Sequence, residues 1–283
     1  MKGTKELIEH LTLEPIEINI FRGQSASIGS PRVFGGQVLA QALEAANQTV
    51  PEDRTVHSLH GYFILAGDIE RPIVYQVDRI RDGKSFTTRR VVAFQHGKAI
   101  FNMSASFHIQ EDGYDHQSTA PDVPGPDELK DDHDVIQTYA SSLPSKVQAW
   151  LNIPRPIEFR SVEPPTIQNM MKSSDQQYVW FKAKGEVPDQ QRMHQTILAY
   201  ASDYNLLGAA VKKHGKTFLD MKLTASLDHA MWFHRDFRVD DWLLYSLDSP
   251  SASNARGFTR GSIFDQAGNL VASVVQEGLI RPK

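Results

Sequence analysis

The chain has 283 residues, 40% of them hydrophobic, with a formal net charge of -4 and no cysteine. That is enough apolar material for one large core or two ordinary ones. The charge gives nucleic acid no basic stripe to bind, and the missing thiols exclude disulfides, cysteine metal ligands and a cysteine nucleophile. The N-terminal Met1-Lys2-Gly3-Thr4-Lys5-Glu6-Leu7 lacks an apolar signal core, and no run is long enough to cross a bilayer. Arg281-Pro282-Lys283 is not a peroxisomal address. A soluble cytoplasmic protein without membrane insertion is the expectation.

In chain order, Ile16 to Phe21 reads as a strand. Gly35 to Ala46 then reads as an alanine- and leucine-rich helix whose small residues allow close approach to a sheet. Strands follow at His57–Leu65, Ile73–Arg81, Ser85–His96 and Lys98–Ile109, with hairpin turns at Arg81-Asp82-Gly83-Lys84 and His96-Gly97. Gln110 to His133, rich in Asp and carrying Pro121, Pro124 and Pro126, reads as an extended linker. Asp134 to Leu151 reads as a helix beside it.

The order then repeats. Strands are expected at Ile157–Arg160 and Gln177–Ala183, and Pro188-Asp189 offers an N-cap for a helix from Gln190 to Asn205. Further strands are expected at Thr224–Phe233, Trp242–Asp248, Ala255–Asp265 and Asn269–Ile280. A slide of about 170 residues lays Ile100–Ala105 on Val271–Gln276, weak in letters but good in element order. The expected domains are 1–112, a linker 113–150 and 151–283. Periodicity alone supports α+β with an antiparallel sheet; two unrelated α+β segments are the alternative.

Ser226 to Arg235 holds the densest chemistry. As one continuous strand it would show Ser226, Asp228, Ala230, Trp232 and His234 on one face, and Leu227, His229, Met231 and Phe233 on the other. Polar residues in such apolar company are costly unless paired or used. Ser226, Asp228 and His229 have a hydrolase triad's composition. On a continuous strand, however, Ser226 and His229 point apart, and no Gly-x-Ser-x-Gly elbow exists. Asp228, His229 and His234 lack zinc-ligand spacing, so no metal and no cofactor are expected.

A set of stretches in fixed order resembles the acyl-CoA thioesterase II family along nearly the whole chain. They are Phe21–Ser25, Val33–Val38, Val56–His60, Arg81–Phe86, Tyr200–Asp203, Met231–Arg235, Ala252–Gly257 and Val275–Gly278. The resemblance implies a tandem double hotdog, each repeat a curved antiparallel sheet wrapped around a central helix. It implies hydrolysis of acyl-CoA, medium- to long-chain in the expectation adopted here, to fatty acid and CoA. It assigns the catalytic roles to Asp203, Ser226 and Gln276, with Ser226 standing where several members have Thr. A homodimer or dimer of dimers is expected. A non-catalytic acyl-CoA binder and a hotdog enoyl-CoA hydratase using His194 and Asp203 are the rivals; nine residues apart, those two lie about 180° out of phase on a helix.

From the residues, Asp203 near the end of an apolar helix either orients and deprotonates a water, with Ser226 and Gln276 aiming it, or caps a helix end. Gly35 and Gly36 at a helix start either polarise the thioester carbonyl or permit close packing. His57 and His60 are candidate substrate contacts, a structural role being the alternative for each. Glu44 is either the first half's own carboxylate or a solvated helix residue.

Overall fold

The computed structural model describes residues 1–283, the side chain of Lys146 excepted. The first half comprises α1 (Thr4–Leu11), β1 (Glu14–Glu17), β2 (Ile20–Gly23), α2 (Gly35–Asn47), β3 (Thr55–Phe63), β4 (Ile73–Asp82), β5 (Phe86–Gln95) and β6 (Lys98–His108). Then come α3 (Asp132–Gln137), α4 (Ser145–Leu151), β7 (Ile157–Ser161), α5 (Ile167–Met171), β8 (Gln176–Ala183), α6 (Gln191–Ser202) and α7 (Leu206–Lys212). The chain closes with β9 (Met221–Ser226), β10 (Asp228–Phe233), β11 (Leu243–Ser253), β12 (Arg256–Asp265) and β13 (Leu270–Pro282).

All the strands form one antiparallel sheet in the order β1-β2-β4-β5-β6-β3-β10-β13-β12-β11-β8-β7, with β9 also paired to β13. Counted outward from the β3–β10 seam, the order is a mirror: β6 answers β13, β5 answers β12, β4 answers β11, β2 answers β8. At the seam Leu59 stands opposite Met231 and His60 opposite Ala230. The equivalence of β6 with β13 is the one on which the 170-residue overlay rests. The sheet is not closed; it ends at β1 and β7.

Helices α2 and α6 lie side by side and in opposite directions. Gly36 meets Tyr200 and Asp203 at one end, while Asn47 meets Thr196 (3.2 Å) at the other. In α2 every residue from Gly36 to Asn47 except Glu44 is buried, and so is all of His194–Ser202 in α6. Both are central helices buried on nearly every side, and Ala40, Ala42, Ala45, Ala46, Ala199 and Ala201 let them pack tightly against each other and the sheet. Among the described residues no helix is long and apolar enough to cross a membrane.

The elements differ from expectation in several places: the expected strand Thr224–Phe233 is broken at Leu227 into β9 and β10, and α1, α5 and α7 are additional helices. Ile16–Phe21 is not one strand but the turn of a hairpin, because Asn19 adopts a left-handed φ of 61° between β1 and β2. The long helix of the linker region is split in two, with Pro144 at the start of α4. The N-cap of α6 is Gln190, with no side-chain cap bond; Asp189 instead pairs with Arg238 (3.1 Å). The linker is extended yet docked. The Trp180 indole donates to the Pro124 carbonyl (2.9 Å), and Ala120, Val123 and Leu129 cover Trp180, Trp242, Leu244 and Phe264.

Candidate active site

Helix α6 ends at Ser202, and Asp203 is its C-cap. The end is fixed from two sides. Asn205, with a φ of 64°, turns the chain from α6 into α7. The buried Tyr245 of β11 donates its hydroxyl to the Ser202 carbonyl (3.0 Å), satisfying one of the acceptors a helix end leaves open. Tyr245 fits there because its diagonal neighbour on β12 is Gly261, where a Cβ would lie 2.2 Å from the tyrosine ring.

The Asp203 side chain is only 7% exposed. Its own helix presents it with the negative end of a dipole, but α2 begins directly opposite with the positive end. The Gly36 N–H donates to Oδ2 of Asp203 (2.8 Å). A Cβ on Gly35 would sit 2.7 Å from that oxygen, and one on Gly36 2.4 Å from the Tyr200 carbonyl. Here glycine is required by close approach. Burial pushes the Asp203 carboxyl up to about 7, against the pull of the bonds from Gly36 and Gln276.

Gln276 of β13 is fully buried. Its Nε2 donates to Oδ1 of Asp203 (3.3 Å) and to Oγ of Ser226 at the end of β9. The structure thus brings Asp203, Ser226 and Gln276 into one hydrogen-bonded group at the N-terminus of α2.

His229 joins them, contrary to the alternation expected of one continuous strand. Ser226 pairs with Gly278 and Ala230 with Val275, so four residue steps on one strand oppose three on the other. The extra residue is a bulge, and it flips the parity of the side chains. Leu227 sits at the break between β9 and β10, its N–H on the Glu277 carbonyl (2.9 Å) and its carbonyl accepting from Phe63 (3.0 Å). The Glu277 N–H donates to Oδ1 of Asp228 (2.6 Å), which closes the bulge. Ser226 and His229 therefore face the same interior. Nδ1 of His229 lies 3.9 Å from Oδ1 of Asp203. Burial pushes the imidazole down to about 3, against an opposing pull from the Gln276 amide, so the ring is neutral.

Other candidates are placed elsewhere. Nε2 of His57 lies 2.8 Å from the Ser106 hydroxyl, and the ring sits beside Phe86 and His108. His60 packs on Trp232. Neither histidine touches Asp203, Ser226 or Gln276. Glu44 is a half-buried residue of α2, away from Asp203, Ser226 and Gln276; its carboxyl accepts from Gln48 (3.2 Å), and burial pushes its pKa up. His194 accepts the Val239 N–H at Nδ1 (3.1 Å), away from Asp203, so the pair a hydratase would need is not formed. Among the described residues no group of three or more His, Cys, Asp or Glu is placed to hold a metal ion.

A sequence model for acyl-CoA thioesterases matches residues 155–279, and one for the N-terminal domain of acyl-CoA thioesterases matches 22–108. The acyl-CoA thioesterase 2 of Haemophilus influenzae is 42% identical over 276 residues, 97% of this chain and 96% of that one. The chain belongs to the acyl-CoA thioesterase family. It is thereby a thioester hydrolase. The crystal structure of acyl-CoA thioesterase II TesB2 from Mycobacterium marinum superposes with a TM-score of 0.79 at 41% identity, covering 98% of each chain. A hot dog fold protein of unknown function from Alicyclobacillus acidocaldarius gives 0.76 at 18% identity over 99% of each, which speaks for the fold alone. The double hotdog expected from the sequence is the fold observed.

Proposed function

We propose that the enzyme hydrolyses medium- to long-chain acyl-CoA through a water activated by Asp203 and aimed by Ser226 and Gln276. The observation that carries this reading is the single buried group formed by these three side chains at the N-terminus of α2. With a pKa near 7, the Asp203 carboxyl is matched to proton transfer at neutral pH.

In this mechanism the ionised Asp203 takes a proton from the water, whose oxygen bonds to the thioester carbonyl carbon. The Ser226 hydroxyl and the Gln276 amide fix the direction of attack. The Gly36 N–H is engaged with Asp203, so the oxyanion falls to the Gly35 N–H, which has no intrahelical partner in the first turn. Collapse breaks the C–S bond, and the CoA thiolate recovers the proton held by Asp203. Phe34 and Phe63, half-buried beside the Gly35-Gly36 turn, give the acyl chain an apolar surface, with Tyr200 and Tyr204 packed behind Phe34.

The test is thiol release from palmitoyl-CoA by wild type and Asp203→Asn. The variant should lose about a hundred- to ten-thousand-fold in kcat, roughly 3–5 kcal/mol of barrier. If it keeps most of its kcat while folded, the base lies elsewhere, and Glu44 and Asp228 are next. Because thiol is the readout, a binder or a hydratase gives no signal at all.

A further inference from the structure

The buried group contains two polar atoms that the mechanism above does not use. Nδ1 of His229 and Oε1 of Gln276 are both buried, and neither has a hydrogen-bond partner within ordinary limits. A buried polar atom left unpaired is costly, roughly 1–3 kcal/mol. Two of them on neighbouring side chains, one able to donate and one able to accept, call for a joint explanation.

The imidazole is neutral, so it carries one N–H, and its surroundings decide where. Nδ1 faces the Asp203 carboxylate at 3.9 Å and the Gln276 amide, whose hydrogen bonding favours a proton on this ring. Both neighbours offer oxygen acceptors, so an unprotonated Nδ1 would meet only lone pairs. Nε2 faces the Ser202 hydroxyl at 3.0 Å. That hydroxyl also lies 3.0 Å from the Ala199 carbonyl and 3.3 Å from the Met231 sulfur. It can donate or accept at Nε2, so the two oxygen acceptors around Nδ1 decide the tautomer. The N–H is on Nδ1, with Nε2 the acceptor.

We propose that His229 is a positioning residue for the hydrolysis: held by Ser202 as the Nδ1–H tautomer, it takes Oε1 of Gln276 and so aims that amide's two N–H groups at Ser226 and Asp203. The bulge at Leu227 supports this independently. A regular strand would turn His229 and Ser226 to opposite faces; the bulge, closed by Asp228, brings both onto Gln276. Without the imidazole, Oε1 of Gln276 has no donor, and only the contacts at Nε2 hold the amide against a flip. Flipped, it would present its oxygen to the Asp203 carboxylate. The inference rests on the assignment of Asp203, Ser226 and Gln276 in the preceding subsection.

The test uses two substitutions that each keep half of the imidazole. An asparagine amide reaches about as far as Nδ1, and a glutamine amide about as far as Nε2. His229→Asn retains a donor toward Gln276 and loses Ser202; His229→Gln retains the Ser202 contact and loses Gln276. Both remove the same ring from the core, so loss of folding stability in urea should be similar. In thiol release from palmitoyl-CoA, His229→Gln should lose roughly tenfold to a hundredfold in kcat, as misplacement of an aiming group does. KM should stay near wild type, and His229→Asn should recover most of the loss. His229→Gln combined with Gln276→Ala should be little worse than Gln276→Ala alone, since both act on one amide.

Equal kcat for the Asn and Gln variants, or additive losses with Gln276→Ala, would overturn the proposal and leave His229 a packing residue. Asp203→Asn measured in parallel separates the two levels. If Asp203→Asn is inactive while both His229 variants keep wild-type kcat, only the positioning role fails. If Asp203→Asn also keeps its kcat, the catalytic reading and this inference fall together.

Discussion

The raised pKa of Asp203 makes a prediction about stability that is independent of any rate. In the unfolded chain this carboxyl titrates near its ordinary value of 3.8; in the fold burial pushes it up to about 7. Between those values the unfolded state gives up its proton while the folded state keeps it, so stability falls as pH rises. Above about 7 both forms are ionised and the loss is complete. A difference of about 3 pKa units corresponds to roughly 4 kcal/mol. Asparagine removes the titration and keeps an oxygen for the Gly36 N–H. Urea unfolding of wild type and Asp203→Asn at pH 4 and pH 8 isolates this group, since other titrations cancel in the difference. The variant should be about equal to wild type at pH 4 and more stable by up to ~4 kcal/mol at pH 8. The kcat/KM of the wild type should run the opposite way, rising with pH to a plateau above about 7 as the base ionises. A stability difference that is the same at both pH values would refute the claim that the fold holds this carboxyl under strain.

Four further outcomes are expected. Gly36→Ala places a Cβ 2.4 Å from the Tyr200 carbonyl, and should destabilise the fold by about 1–3 kcal/mol in urea melts while lowering kcat by moving the Asp203 donor. Ser226→Ala and Gln276→Ala should each cost less kcat than Asp203→Asn, and Ser226→Thr should be nearly silent because the hydroxyl is kept; steady-state thiol release decides the ranking. Activity should persist with a chelator present, and its loss followed by restoration with zinc would sink the water-activating mechanism. The sheet ends openly at β1 and β7, and light scattering at micromolar concentration should give two or four times the 31.8 kDa chain mass.

Much of the fold was legible because its signals are local. The strands β3 to β6 and β11 to β13 are bounded by turns such as His96-Gly97 that the letters announce, and alternation marks them well. The first central helix declares itself through alanine and leucine, the second through Pro188-Asp189 ahead of it. What escaped was decided by a single backbone angle or by a long-range partner. Asn19 folds an apparent strand into a hairpin through one left-handed residue. Tyr245, which ties down the end of α6, reads as one more strand aromatic; its role depends on Gly261 on the neighbouring strand, and nothing in the spacing joins the two.

The site shows the same division more sharply. Asp203, Ser226 and Gln276 were nameable from a resemblance, but their company was not. Strand alternation put His229 on the wrong face, and that inference was sound for any regular strand. It failed because one residue is inserted at Leu227, and a bulge of one residue reverses every side chain beyond it. Asp228 explains why the bulge persists, since its carboxylate takes the Glu277 N–H. Asp228 and His229 both looked like chemistry in the sequence; in the fold Asp228 closes the bulge, and His229 sits against the carboxylate. Where a strand carries a polar cluster among apolar neighbours, two-residue periodicity is the first rule to doubt. A fold that must gather more polar groups than one face of a strand supplies has to break the period to do so.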